Sequence, residues 1–285
     1  MTHLLEVQEL NKTYGDSSFG LQDITFSIPY GSIVGFIGEN GAGKSTTMGS
    51  ILGTLQKDSG TIKMLGEEME ASDVHLKEDI GVVFDTMKLV GGLTVAKLER
   101  VFREIYSNWS KETYFQLIQL FSLPKNKHVS GFSRGMSMKL SIAVALSHEA
   151  KLLILDEATA GLDAGGREDV LNVLKEFVKN QDRSILMSSH ISSDIEQMAD
   201  QLVFIKGGRI LLQASKDTIL NTYAITQCDP VQYETIPSEI RVAKRGSRAF
   251  FDVLVSDKEK LPRTLHPRPF TIDDVTLLLM RGEKG

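Results

Sequence analysis

Gly38-Glu39-Asn40-Gly41-Ala42-Gly43-Lys44-Ser45-Thr46 decides how the chain is read. The spacing is G-x-x-x-x-G-K-S, in which a glycine-rich turn delivers backbone N–H groups to phosphate oxygens. Ahead of it, Ser32-Ile33-Val34-Gly35-Phe36-Ile37 is an apolar run of strand length, and behind it Lys44 to Leu55 can run as a helix. Strand, glycine turn and helix are the context that gives the motif its meaning. Gly38, Gly41 and Gly43 permit the tight turn, and the new helix adds unpaired N–H groups and the positive end of its dipole. An anion nest is therefore expected before any side chain is counted. Gly38, Asn40, Gly41, Gly43, Lys44, Ser45 and Thr46 form the expected nucleotide-binding set. Lys44 is placed to reach the β- and γ-phosphates and the Ser45 hydroxyl to ligate Mg²⁺.

Outward from this stretch, 285 residues leave room for one large domain with an appendage. Hydrophobic residues make up 41% and charged residues 24%, so a packed core is expected. A net charge of -5 argues against a general nucleic-acid binder. The single cysteine, Cys228, has no internal partner and fits a reducing compartment as an apolar filler or surface thiol. Met1 to Gln8 lacks the features of a signal peptide. The longest apolar runs, such as Leu152 to Leu155, fall far short of the roughly 20 residues a membrane span needs.

Residues Leu4 to Tyr14 and Leu21 to Ile28 read as strands, followed by Gly60 to Met64 and Ile80 to Phe84 as a further strand-like pair. From Leu93 to Ser122 the apolar period becomes helical. Val95, Leu98, Val101, Phe102 and Ile105 share one face, and Tyr114, Phe115, Leu117, Ile118 and Phe121 form a second band around Trp109. A third helix is expected over Gly135 to His148 with Ser133 at its N-cap. Lys151 to Glu157 reads as a strand buried on both faces of a parallel sheet. A helix over Gly165 to Asn180 and a strand over Ser184 to Met187 complete a βαβ unit. Gly207-Gly208 signals a hairpin. Residues 221–285 hold five of the seven prolines and read as a small appended module with short strands (such as Ala249 to Val255) and a last helix, Ile272 to Met280.

The strand Leu152 to Leu155 ends in Asp156-Glu157, at the edge where parallel sheets present ligand groups. An acid pair behind a phosphate loop suits phosphoryl transfer. Asp156 supports the Mg²⁺ shell and Glu157 polarises a water for attack on the γ-phosphate. Asp156 lies 112 positions after Lys44, so a large insertion separates them.

Three further features point the same way. Phe132-Ser133-Arg134-Gly135-Met136 precedes the acid pair, Ala160-Gly161-Leu162-Asp163 follows it, and His190 follows the strand Ser184 to Met187. Together with the phosphate loop, these resemble the signature motif, D-loop and switch histidine of ATP-binding cassette (ABC) ATPases, over about residues 4–220. The resemblance implies an α/β fold. It has a P-loop NTPase core with a mostly parallel sheet, an N-terminal antiparallel β-subdomain, an inserted α-helical subdomain at about 86–150, and a small C-terminal α+β appendage at 221–285. It also implies that Tyr14 stacks on adenine, that Ser133 and Gly135 face the γ-phosphate of the opposite subunit, that Asp163 crosses a dimer interface, and that His190 bonds the γ-phosphate. Asp85 stands where the family usually has a glutamine. It is carried as a residue that contacts Mg²⁺ through water and links the nucleotide to the groove between 80–90 and the 93–122 helices. Ala158 stands where the family often has proline. The cofactors implied are ATP and Mg²⁺, and the partners are a second copy or a related ATPase chain and a separate polytopic membrane subunit. The expected place is the cytoplasmic face of the cell membrane, as a peripheral subunit. The acidic position 85, the Ser-x-Gly-Met signature and the C-terminal helix resemble bacterial drug and antimicrobial-peptide exporters, the phenol-soluble modulin type included. The competing reading is a soluble ABC ATPase that remodels a cytosolic complex. A nucleoside kinase would need neither the signature nor His190.

Overall fold

The computed structural model describes residues 2–15, 19–70, 72–84, 89–189, 192–247 and 249–285. Strand β1 (His3–Thr13) pairs antiparallel with β2 (Gly20–Pro29). Then come β3 (Ile33–Ile37), α1 (Lys44–Ile51), β4 (Ser59–Met64), β5 (Glu67–Glu68), α2 (Val74–Glu78) and β6 (Ile80–Phe84). Both strand-like segments read from the sequence, β4 and β6, are strands, and they lie in different sheets. β4 joins the antiparallel sheet β2-β1-β4-β5, while β6 is an edge of a six-stranded sheet ordered β10-β9-β3-β8-β7-β6. β4 is mixed in exposure and suits a half-covered sheet, whereas β6 runs parallel to a fully apolar neighbour.

That neighbour is β7 (Leu152–Asp156). It follows α3 (Val95–Ile105), α4 (Lys111–Leu120) and α5 (Arg134–Ala145), which are inserted between β6 and β7. α6 (Ala164–Val178), β8 (Ser184–Ser188), α7 (Ser192–Met198), β9 (Gln201–Lys206) and β10 (Arg209–Ser215) complete the core. β9, β3, β8, β7 and β6 are parallel, and only β10 runs against them. Leu152, Leu153, Ile154 and Leu155 are buried because helices and the antiparallel sheet cover both faces of β7. Gly207 and Gly208 make the β9–β10 turn with φ of 53° and 74°, the left-handed pair a two-residue hairpin requires.

The insertion is held by its caps and one hydroxyl. Thr94, Ser110 and Ser133 accept backbone N–H bonds at the starts of α3, α4 and α5. The buried Tyr114 hydroxyl donates to the Val95 carbonyl at 3.0 Å, tying α4 to α3. The apolar face expected of α3 is covered only in part. Val95 and Leu98 are buried, but Val101 and Ile105 are exposed. Phe102 turns toward Trp109, ring centroids 5.7 Å apart, in a stack that continues through Tyr106 to His148. α5 stops at Ala145, short of His148, where Ser147 caps the turn through the Ala143 carbonyl.

The C-terminal part follows α8 (Lys216–Thr222) with β11 (Ala224–Cys228), α9 (Pro230–Thr235), β12 (Arg241–Gly246), β13 (Phe251–Val255), β14 (Pro267–Arg268), α10 (Ile272–Arg281) and β15 (Glu283–Lys284). Its five strands form a separate sheet, β14-β11-β13-β12-β15. Cys228 is buried within it. α10 starts with a capping box between Thr271 and Asp274 and is amphipathic. Its buried face, Ile272, Val275, Leu278, Leu279 and Met280, joins the same apolar cluster as Ile195, Leu202 and Phe204 of α7 and β9. Among the described residues, no helix is long and apolar enough to cross a membrane.

Candidate nucleotide site

β3 sits between β9 and β8 with all five residues buried, so the loop after it emerges from the middle of the parallel edge. Backbone approach is close there. A Cβ at Gly38 would lie 2.5 Å from the Ile205 carbonyl oxygen. Gly43 at the N-cap of α1 has φ 114°, a conformation side chains disfavour. The Lys44 ammonium is buried inside the loop. It donates to the carbonyls of Gly38 at 2.8 Å and Glu39 at 3.2 Å, closing the turn into a ring of N–H donors.

The floor is built by register. Asp156 pairs in β7–β8 opposite Ser188, which brings the Ser188 hydroxyl onto Asp156 Oδ1. The other oxygen, Oδ2, accepts from the Ser45 hydroxyl at 2.6 Å. Glu157 leaves the strand with φ 58°, held by its N–H donating to the Ser188 carbonyl at 3.2 Å. A non-glycine residue there costs about 1–3 kcal/mol and persists only where its surroundings fix it, and such residues cluster at functional sites. Asn40, Gly41, Gly43, Lys44, Ser45, Thr46, Asp156 and Glu157 line one cavity of about 370 Å³. Phe19 lines it too, a residue the sequence reading missed. The Phe19 ring packs against Tyr14, centroids 6.4 Å apart at 29°, so the aromatic edge of the site is a pair and Phe19 is its nearer member. Ser188 was missed as well. Its role depends on cross-strand register, while Phe19 could be suspected as a second aromatic in the β1–β2 turn.

Ser133 caps α5, its hydroxyl accepting from the Met136 N–H at 3.2 Å. Gly135 lies against the next motif, where a Cβ would come 3.1 Å from the Gly161 carbonyl oxygen. Asp163 caps α6 through the Gly166 N–H at 3.1 Å. The signature tip and the D-loop thus abut within one chain. Asp85 and His190 lie outside the described residues. On the far side of Gly38–Asn40, a larger hollow of about 700 Å³ separates the loop from α10, with Arg281 and Glu39 paired across its mouth at 3.4 Å.

A glycine cradle closed by a buried lysine, over a serine–aspartate floor, defines a P-loop nucleotide-binding protein. Residues 21–160 match the ABC transporter family. The lantibiotic transport ATP-binding protein SrtF of Streptococcus pyogenes is 35% identical over 216 residues, 75% of this chain and 92% of the relative. The bacitracin transport ATP-binding protein BcrA of Bacillus licheniformis is 32% identical, covering 74% of this chain and 69% of the relative. A solved structure of an ATP-binding subunit of an ABC transporter superposes with a TM-score of 0.70 at 31% identity, covering 76% of this chain and 91% of the other. The chain belongs to the ABC transporter family, as an ATP-binding ATPase subunit.

Proposed function

We propose that this chain is the ATP-hydrolysing subunit of a membrane exporter for peptides or drugs, working as a head-to-tail dimer on a separate polytopic membrane subunit. The observation that carries it is the placement of one phosphate cradle and one signature tip, Ser133 to Gly135 beside Gly161, on the same chain. A helix tip offering N–H groups to phosphate has a use only if a second cassette presents its nucleotide to it. The relatives named for lantibiotic and bacitracin transport support the export of antimicrobial peptides. The absence of a membrane-crossing helix among the described residues suits a peripheral subunit at the cytoplasmic face.

In this reading Lys44 moves from the Gly38 and Glu39 carbonyls to the β- and γ-phosphates, while N–H groups of the loop and α1 hold their oxygens. The oxygens of Ser45 and Asp156, 2.6 Å apart, are hard donors of the kind Mg²⁺ accepts alongside water and phosphate. When bound, Mg²⁺ neutralises charge on the β- and γ-oxygens. Glu157 orients a water and accepts its proton, and Tyr14 and Phe19 flank the base. Ser133, Gly135 and Asp163 act on the partner's nucleotide, His190 on its own, and Asp85 relays occupancy to the groove beside α3. Residues 1–220 form the ATPase unit and 221–285 an accessory module.

Glu157→Gln tests this. The change is isosteric, keeps the backbone and removes only the base, so turnover falls by roughly 10²–10⁴-fold. ATP then persists and a dimer accumulates on gel filtration. Turnover near the unmodified rate removes Glu157 from the chemistry. Recovery of no polytopic chain with the detergent-solubilised protein removes the exporter.

A further inference from the structure

We propose that Asp194 is a positioning residue for hydrolysis, the joint at which the segment carrying Glu157, the helix after the D-loop and the helix after His190 are locked together. The proposal rests on the assignment of Glu157 as the base. Asp194 is fully buried in the first turn of α7, four positions after His190. Both of its oxygens are taken. Oδ2 accepts from the Thr159 hydroxyl at 2.5 Å, and Oδ1 from Arg167 Nε at 2.5 Å with Nη2 of the same guanidinium beside it. The second arm of the guanidinium also donates to the Ser193 hydroxyl at 2.7 Å.

Each partner belongs to a segment that carries chemistry. Thr159 is buried two residues after Glu157, whose left-handed backbone needs its surroundings to hold it. Arg167 lies in the first turn of α6, whose N-cap is Asp163 of the D-loop. A carboxylate removed from water is retained only where its charge and lone pairs are satisfied, and here one guanidinium and one hydroxyl do so. The result is a fixed joint. α7 cannot shift without pulling Thr159 and Arg167, so the base, the D-loop and α7 move as one piece. None of the three residues lines the cavity of the phosphate loop, so disturbing the joint should change the chemical step and leave ATP binding nearly intact.

The test is steady-state ATP hydrolysis by the full chain, titrated with Mg²⁺-ATP, with kcat expressed per nucleotide-binding molecule. Asp194→Asn should lower kcat by about 10- to 100-fold, the effect of a misplaced base, with KM changed by less than about threefold. Thr159→Val, which removes one anchor at nearly constant size, should lower kcat by a smaller factor. Thr159→Ser, which restores the hydroxyl, should recover it. If Asp194→Asn does not fold, the Thr159 pair decides alone. Loss of activity that only tracks the fraction of folded, nucleotide-binding molecules overturns the proposal, as does equal turnover by the Val and Ser variants. Glu157→Gln is run beside them. If it alone hydrolyses ATP normally, the assignment of the base has failed and the joint loses its purpose. If it is inactive while Asp194→Asn is normal, only the joint is refuted.

Discussion

Leu278→Ala tests whether the C-terminal module stands apart from the ATPase core. Leu278 is 3% exposed on the buried face of α10, in the cluster that includes Ile195, Leu202 and Phe204. The change removes three carbons, a transfer loss of about 2.4 kcal/mol at roughly 0.8 per CH₂. The cavity left behind brings the cost to about 3–5 kcal/mol. At roughly 2–3 °C per kcal/mol for a chain this long, the midpoint of a shared transition should fall by about 6–15 °C. The assay is differential scanning calorimetry with and without Mg²⁺-ATP, since nucleotide raises only the transition of the unit that binds it. Leu277→Ala is the control. That side chain is 39% exposed on the same helix, and its loss should cost little. If Leu278→Ala lowers a separate transition and leaves the nucleotide-stabilised one in place, α10 is a lid on the core and not a part of it, and the reasoning fails.

Phe19→Ala should weaken ATP binding by about 1 kcal/mol, or roughly fivefold, as measured with a fluorescent ATP analogue, and Tyr14→Ala by a comparable factor. Unchanged affinity in both would place adenine elsewhere. The pH dependence of stability should carry a His148 contribution. Burial holds the His148 ring below its usual range, against the opposing hydrogen bond to the Glu78 carbonyl. The folded state therefore binds fewer protons than the unfolded one, so this contribution is complete above about pH 6.5 and is lost as pH falls through the folded value. His148→Gln, whose amide can still donate to Glu78, should flatten the thermal midpoint between about pH 6.5 and 5. An unaltered slope would assign the dependence to other groups.

How much of this was legible beforehand follows from how far each feature reaches along the chain. The cradle is written in consecutive residues, Gly38 to Thr46, and the acid pair ends an unbroken apolar strand, so both could be read directly. The three helices of the insertion announced themselves by period, and the third also by Ser133 at its cap, but period says only that a face is apolar. Val101 and Ile105 remain exposed although Val95 and Leu98, read onto the same face, are buried. The sheets that β4 and β6 join were not legible for a related reason, since alternation identifies a strand and not its sheet.

The site's supports were the least visible, and they are non-local. Ser188 reaches Asp156 only because β7 and β8 run parallel in one register, and a slip of one residue would turn the hydroxyl to the opposite face. Asp194 reads in sequence as one more acid on a polar helix, and only the fold buries it between Thr159 and Arg167. The groups assigned to phosphate and water therefore sit in short contiguous motifs, while the groups that hold Glu157 in place, Ser188 and Asp194, come from 31 and 37 positions downstream. A substitution scan should reflect that division. Changes in the motifs should abolish turnover outright, and changes at the supports should lower kcat with nucleotide binding preserved.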